Sequence, residues 1–162
     1  MFKLTTIYIF LLLLNAPSYA YSKKRCEVDE VIGRDCDYAS IRFVPNVEWQ
    51  SIGQYLDKDL VYKFTTRLSR DWKDDHIPAN LKGWLKFKVL AKTYSIIRRD
   101  KSFGFYQIGF CETKDHVNCK PLEKAIKYHR LESTSKIHFF VNDVKNYSFN
   151  NKGRAFIKIE AI

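Results

Sequence analysis

Apolar side chains recur at every second position in several stretches of this chain, and that period narrows its possible folds more than any other feature. Leu60, Tyr62 and Phe64 alternate with Val61, Lys63 and Thr65, and Leu85, Phe87 and Val89 alternate with Lys86 and Lys88. Ile137, Phe139 and Val141 form one such face, and Ala155, Ile157 and Ile159 another. Tyr94 to Ile97 is a short β-branched run, and Phe103 to Phe110 is aromatic with two glycines. A period of two with β-branched and aromatic enrichment predicts half-buried strands. Many short strands between turn clusters predict an all-β sandwich. Pro121 to Leu131 dissents: Leu122, Ala125, Ile126 and His129 have helical spacing, so the segment reads either as a short helix or as a strand carrying Ile126 and Tyr128.

The ends and the cysteines suggest export. Lys3, the apolar run Ile7 to Leu14 and the small-x-small Ser18-Tyr19-Ala20 have the order of a secretory signal peptide over residues 1–20. That run is shorter than a membrane span, so the mature chain is not expected to cross a membrane. Four cysteines, Cys26, Cys36, Cys111 and Cys119, then predict disulfides. Of the three possible connectivities, Cys26–Cys36 with Cys111–Cys119 closes the two shortest loops, and pairing across the ends is its rival. No CxxC spacing points to zinc or redox chemistry. Residues 21–43, polar and holding two of the cysteines, read as an N-terminal extension stapled to a domain over 44–162.

Charge narrows the partners. The chain carries 28 Lys and Arg against 18 Asp and Glu, and Lys3 is the only charged residue in the first twenty. So basic a mature chain favours anionic partners. Outside the cytoplasm these are acidic glycans, anionic envelope surfaces such as phospholipid headgroups or lipopolysaccharide, or an acidic protein; nucleic acid is not expected. The basic runs Lys23-Lys24-Arg25, Arg98-Arg99 with Lys101, and Lys124 to Arg130 are short enough to be solvated faces.

The segment Val141 to Gly153 concentrates the chemistry. Asp143, Asn150 and Asn151 bring a carboxylate and two side-chain amides together between two apolar runs. Calcium takes such oxygens, 6–8 in number, in flexible geometry. Asn-Asn-x-Gly is also ordinary turn chemistry, because Asn and Gly tolerate left-handed backbone angles. A second polar cluster, Asp71, Trp72, Asp74, Asp75 and His76, reads either as part of a metal or glycan site or as a solvated turn anchored by its indole. Trp49 and Trp84 fall in patterned strands and are expected in the core or at a sheet edge.

The order of these pieces resembles the small bacterial calcium-dependent galactophilic lectins and the galactose-binding-like sandwich domains around them. Four stretches carry the likeness: Val44 to Gly53 with Leu56 to Val61; Ile77 to Val89; Phe105-Tyr106-Gln107-Ile108-Gly109; and Ile137 to Ile159, whose Asn-Asp-Val, Asn-Asn-x-Gly and alternating last strand are the closest match. The resemblance implies a galactose-binding-like jelly-roll β-sandwich and a calcium ion. Asp143, Asn150 and Asn151 would ligate it through side-chain oxygens, Tyr147 through its backbone carbonyl, and a residue near Asp71 through another. A sugar would complete the sphere, with Trp72 as stacking platform and His76 as a further contact beside Asp143 and Asn150. The family's glycine-rich segment is replaced here by Thr66 to Trp72, which has no glycine.

Enzyme chemistry is not expected. His76, His116, His129 and His138 lack the spacing of a helical zinc site, and there is no Gly-x-Ser-x-Gly elbow. Two readings remain: an exported, calcium-dependent carbohydrate-binding module, or a structural subunit of an envelope or secretion assembly in which the sugar site has decayed.

Overall fold

The computed structural model describes residues 22–86, 93, 97, 100–114, 119–123, 125–144 and 148–162. Residues 1–21, Phe87 to Val89, most of Tyr94 to Ile97, His116 and Tyr147 lie outside them. The first half of the chain forms β1 (Val31–Ile32), β2 (Tyr38–Phe43), β3 (Gln50–Ser51), β4 (Tyr55–Leu56), β5 (Val61–Leu68), β6 (Lys73–Asp74), β7 (Ile77–Asn80) and β8 (Gly83–Trp84). The second half forms β9 (Ile108–Cys111), β10 (Lys120–Pro121), β11 (Ala125–Arg130), β12 (His138–Val141), β13 (Asn151–Lys152) and β14 (Ala155–Ala161). Almost all regular structure among the described residues is strand, as the alternation requires, with a 3₁₀ turn over Ser148–Asn150. Among the described residues no helix is long and apolar enough to cross a membrane.

Two four-stranded sheets, ordered β11-β5-β14-β2 and β10-β9-β12-β3, make the body of the molecule. Along β5 the alternation buries Tyr62, Phe64 and Thr66 and exposes Lys63, Thr65 and Arg67. Along β14 it buries Ala155, Ile157 and Ile159. Rings from the two sheets meet between them: Phe64 stacks on Phe110 at 5.0 Å, and Phe43 meets Phe139 at 6.3 Å. Aromatic pairs at these separations add to the area they bury, and this inter-sheet layer is the centre of the core. A third sheet, β13-β6-β7-β8, assembles the chain around the functional site.

Within Pro121 to Leu131 the segment Ala125–Arg130 is strand, not helix. β11 pairs antiparallel with β5, Ala125 opposite Thr65 and Ile126 opposite Phe64, with a register irregularity between Ile126 and His129. Burial of Ile126 against the core overrides the local helical spacing.

Both short-loop disulfides are present, Cys26–Cys36 and Cys111–Cys119. The N-terminal stretch is more than a stapled arm. β2 pairs with β14 over its whole length, from Tyr38 opposite Glu160 to Phe43 opposite Ala155. Phe43, last in the supposed extension, is fully buried, so residues 38–43 belong to the main sheet. The rest of the segment is tied down by the Tyr62 hydroxyl, which donates to the Ile32 carbonyl at 3.0 Å, and by an ion pair between Arg34 and the buried Asp57.

Candidate functional site

The site forms where β13 meets β6. Asn151 lies opposite Asp74, and Lys152 opposite Lys73. β6 turns into β7 through the two-residue hairpin Asp75-His76, with Asp75 in the left-handed region at φ 47°. Asp tolerates that conformation, which primed hairpin turns require. On the other side Gly153, at φ 98°, brings the chain against Trp72, where a Cβ would stand 2.6 Å from the Trp72 Cα. Turn chemistry and a donor cluster therefore occupy the same loop: Gly153 makes the bend while the two preceding asparagines face inward.

Four polar side chains converge. The Asn150 amide nitrogen donates to Asp74 Oδ1 at 3.0 Å. The Asn151 amide nitrogen donates to Asp143 Oδ2 at 3.1 Å and to the Pro45 carbonyl at 3.0 Å. Asp143 Oδ1 accepts from the Val144 amide at 2.6 Å, and Asp74 Oδ2 accepts from the Trp84 indole at 3.1 Å. Asp74, Asp143 and Asn151 are all buried. The two remaining amide oxygens, Oδ1 of Asn150 and Oδ1 of Asn151, are buried with no hydrogen-bond partner. Burying such an oxygen unpaired costs about 1–3 kcal/mol, and these two belong to adjacent residues. With both nitrogens committed to acceptors, what they await is a donor or a cation.

The electrostatics point the same way. The Asp74 carboxyl is raised from an ordinary 3.8 to about 6, chiefly by burial and secondarily by the Asp143 and Asp75 charges. The Trp84 N–H and the Asn150 amide pull it back. Buried carboxylates that repel one another are relieved by a proton or by a metal ion. The sign for stability follows: between pH 4 and 6 the folded state holds a proton that the unfolded state has released, so stability falls as pH rises through this window. The difference of about 2 pH units corresponds to about 3 kcal/mol. Urea denaturation in chelator at pH 4.5 and 7.5 is therefore expected to favour Asp74→Asn over wild type by roughly 2 kcal/mol more at the higher pH. A difference independent of pH would show that Asp74 is not the strained group.

A cleft of about 480 Å³ opens onto this cluster, lined by Asp74, Asp75, His76, Trp84, Phe105 and Asp143 among others. Trp84 and Phe105 meet edge to face at 4.6 Å and form its apolar wall. Gly83, at φ 100°, permits this, because a Cβ there would collide with the Phe105 carbonyl.

The sequence-derived residues divide as follows. Asn151 bonds to Asp143 and Asn150 to Asp74, and Asp143 and Asn150 both line the cleft. His76 stands exposed at the mouth of the cleft, 3.3 Å from the Asp75 carboxylate. Trp72 is 3% exposed and packs against Phe43 and Tyr106, so its ring belongs to the core and offers no face to a sugar. Asp71 is exposed in the turn before β6, its carboxyl held low by Ser69, three residues before Asp74. The carboxylate that joins the cluster is Asp74, which the sequence offered only as one member of a polar cluster readable as a metal or glycan site or as a solvated turn; the aromatic that lines the cleft is Trp84, expected in the core or at a sheet edge. The signal for Asp74 was its parity with Trp72, a charge on the face of β6 that also carries a core indole. Among the described residues the only group of three metal-type ligands from His, Cys, Asp and Glu is Cys26, Glu30 and Cys36. Its two sulfurs are bonded to each other.

Comparison of the chain with family models, curated proteins and solved structures finds no match. The functional reading therefore rests on the site itself.

Proposed function

We propose that this chain is an exported carbohydrate-binding module of the galactose-binding-like jelly-roll type, which captures a glycan at a calcium site built on Asp143, Asn150 and Asn151. The observation that carries this reading is the pair of buried, unpartnered amide oxygens beside two carboxylates. Hard, mixed carboxylate and amide oxygens suit calcium better than softer metals. These residues leave room in a sphere of 6–8 oxygens, and a bound ion would supply the charge and open positions that vicinal sugar hydroxyls can fill.

The protein's own groups do the rest. Asn151 is locked by its bonds to Pro45 and Asp143, which fixes where its oxygen points. Asp74 holds Asn150 in the same way. The Trp84 and Phe105 wall offers an apolar surface to the C–H face of a sugar, and His76 and Asp75 at the mouth offer hydrogen bonds to its hydroxyls. Two disulfides support an oxidising, extracytoplasmic setting.

A glycan array probed with and without chelator tests the reading. The expected result is binding to a restricted set of sugars with calcium, lost in chelator and restored by added calcium. Binding indifferent to chelator, or no sugar retained by protein loaded with calcium, would contradict it.

A further inference from the structure

The outer face of the main sheet carries a second cluster, far in character from the acidic cleft. Alternation along β2, β5 and β14 turns Phe43, Phe64 and Ile157 inward and sends Arg42, Arg67 and Phe156 outward. Register then aligns them in one row. Phe156 lies opposite Arg42 on one side and opposite Arg67 on the other. Its ring is 48% exposed between the two arginines. Arg25 stands at the edge of the same face, within 3.5 Å of the Ser40 carbonyl. A shallow depression of about 380 Å³ runs over these residues, and among the described residues no carboxylate lines it.

The acidic group nearest along β14, Glu160, is already engaged by Lys23 and Lys158 at 2.9 and 2.7 Å. Lys158 also lies over the Tyr38 ring. Among the described residues Arg25, Arg42 and Arg67 have no carboxylate partner. Three unpaired guanidinium groups grouped across neighbouring strands repel one another, and an aromatic ring left open among them adds nothing to the core. Neither feature is explained by folding.

We infer that this face binds a linear acidic polysaccharide, independently of the cation cleft. Guanidinium forks match carboxylate and sulfate groups bidentately, and the Phe156 ring can stack on a sugar ring between them. Strands 4.7–4.9 Å apart put the Arg42 and Arg67 backbones about 10 Å from each other, with the ring midway. An anionic chain laid across the strands would meet charge, ring and charge in sequence. A membrane surface suits the face less well, because one central phenylalanine is a small apolar anchor. Single-stranded nucleic acid would also use basic groups and an aromatic, but two disulfides place the chain where the abundant linear polyanions are polysaccharides.

The test is titration of the full chain with heparin in chelator, beside neutral dextran, vesicles of phosphatidylglycerol and a single-stranded oligonucleotide. Heparin is expected to bind in a salt-dependent manner, and dextran not at all. Arg42→Ser with Arg67→Ser should weaken binding by about tenfold or more, and Phe156→Ala by roughly threefold. Lys58→Ser with Lys82→Ser, which removes the same charge elsewhere on the surface, should change it little. Equal losses in the two double variants would reduce the effect to net charge and overturn the assignment. Tighter binding of vesicles or oligonucleotide than of heparin would overturn it as well. Because calcium is absent throughout, the outcome does not depend on the cleft.

Discussion

Saturating calcium at pH 7.5 is expected to raise the melting temperature of the protein by roughly 10 °C. A ligand at a hundred times its Kd stabilises the folded state by about 2.7 kcal/mol, and a domain of this size gains about 3–4 °C per kcal/mol. The rise should shrink at pH 5, where Asp74 holds a proton and the site has lost one negative charge. The informative variant is Asp143→Asn. It retains oxygen for the Val144 amide and removes the charge that repels Asp74. Its new NH2 would face the Asn151 amide nitrogen that donates to Asp143 Oδ2, so without calcium it should melt somewhat below wild type, and added calcium should not move it. Asn151→Ala should also abolish the calcium response, while losing the bond to the Pro45 carbonyl that holds this loop. Scanning fluorimetry with and without chelator measures all three proteins. A full calcium shift in Asp143→Asn would remove Asp143 from the site.

Phe110→Ala is expected to cost about 3–5 kcal/mol and to lower the melting temperature by roughly 10–20 °C. Phe110 is fully buried, stacks on Phe64 and touches Phe139 at 6.2 Å, so its ring joins the two sheets. Phe156→Ala deletes the same ring from the outer face and should cost less than about 1 kcal/mol. Comparable losses at the two positions would mean that the inter-sheet layer is not the centre of the core.

The contrast between these phenylalanines was legible before any coordinates, because period-two alternation alone assigns faces. Tyr62, Phe64, Ile157 and Ile159 took the inward positions it predicted. β2 escaped notice even though Ala39, Ile41 and Phe43 alternate with Ser40 and Arg42, because the strand follows a charged, cysteine-held stretch and was read as its continuation. Its place in the sheet depends on pairing with β14, more than a hundred residues away, which no local signal encodes. Pro121 to Leu131 illustrates the same limit, since contact with β5 decided between helix and strand.

The functional cluster divides along the same line. Asp143, Asn150 and Asn151 were readable because donor density within one loop is a local property. Asp74 was readable only as one of a second polar cluster; its bond to Asn150 was not, because it spans 76 residues through the pairing of β6 with β13. The exchange of Trp72 for Trp84 has the same origin. Local polarity favoured the indole in the charged loop, but Trp72 shares a face with core residues, while Trp84 is held at the cleft by Asp74 and Phe105.

A crystal structure of the protein grown in millimolar calcium bears most directly on why two buried amide oxygens stand unpaired. It is expected to place one ion 2.3–2.6 Å from an Asp143 carboxylate oxygen and from Oδ1 of both Asn150 and Asn151. Those two oxygens bonded instead to protein or ordered water, with no ion between them at that concentration, would contradict the account.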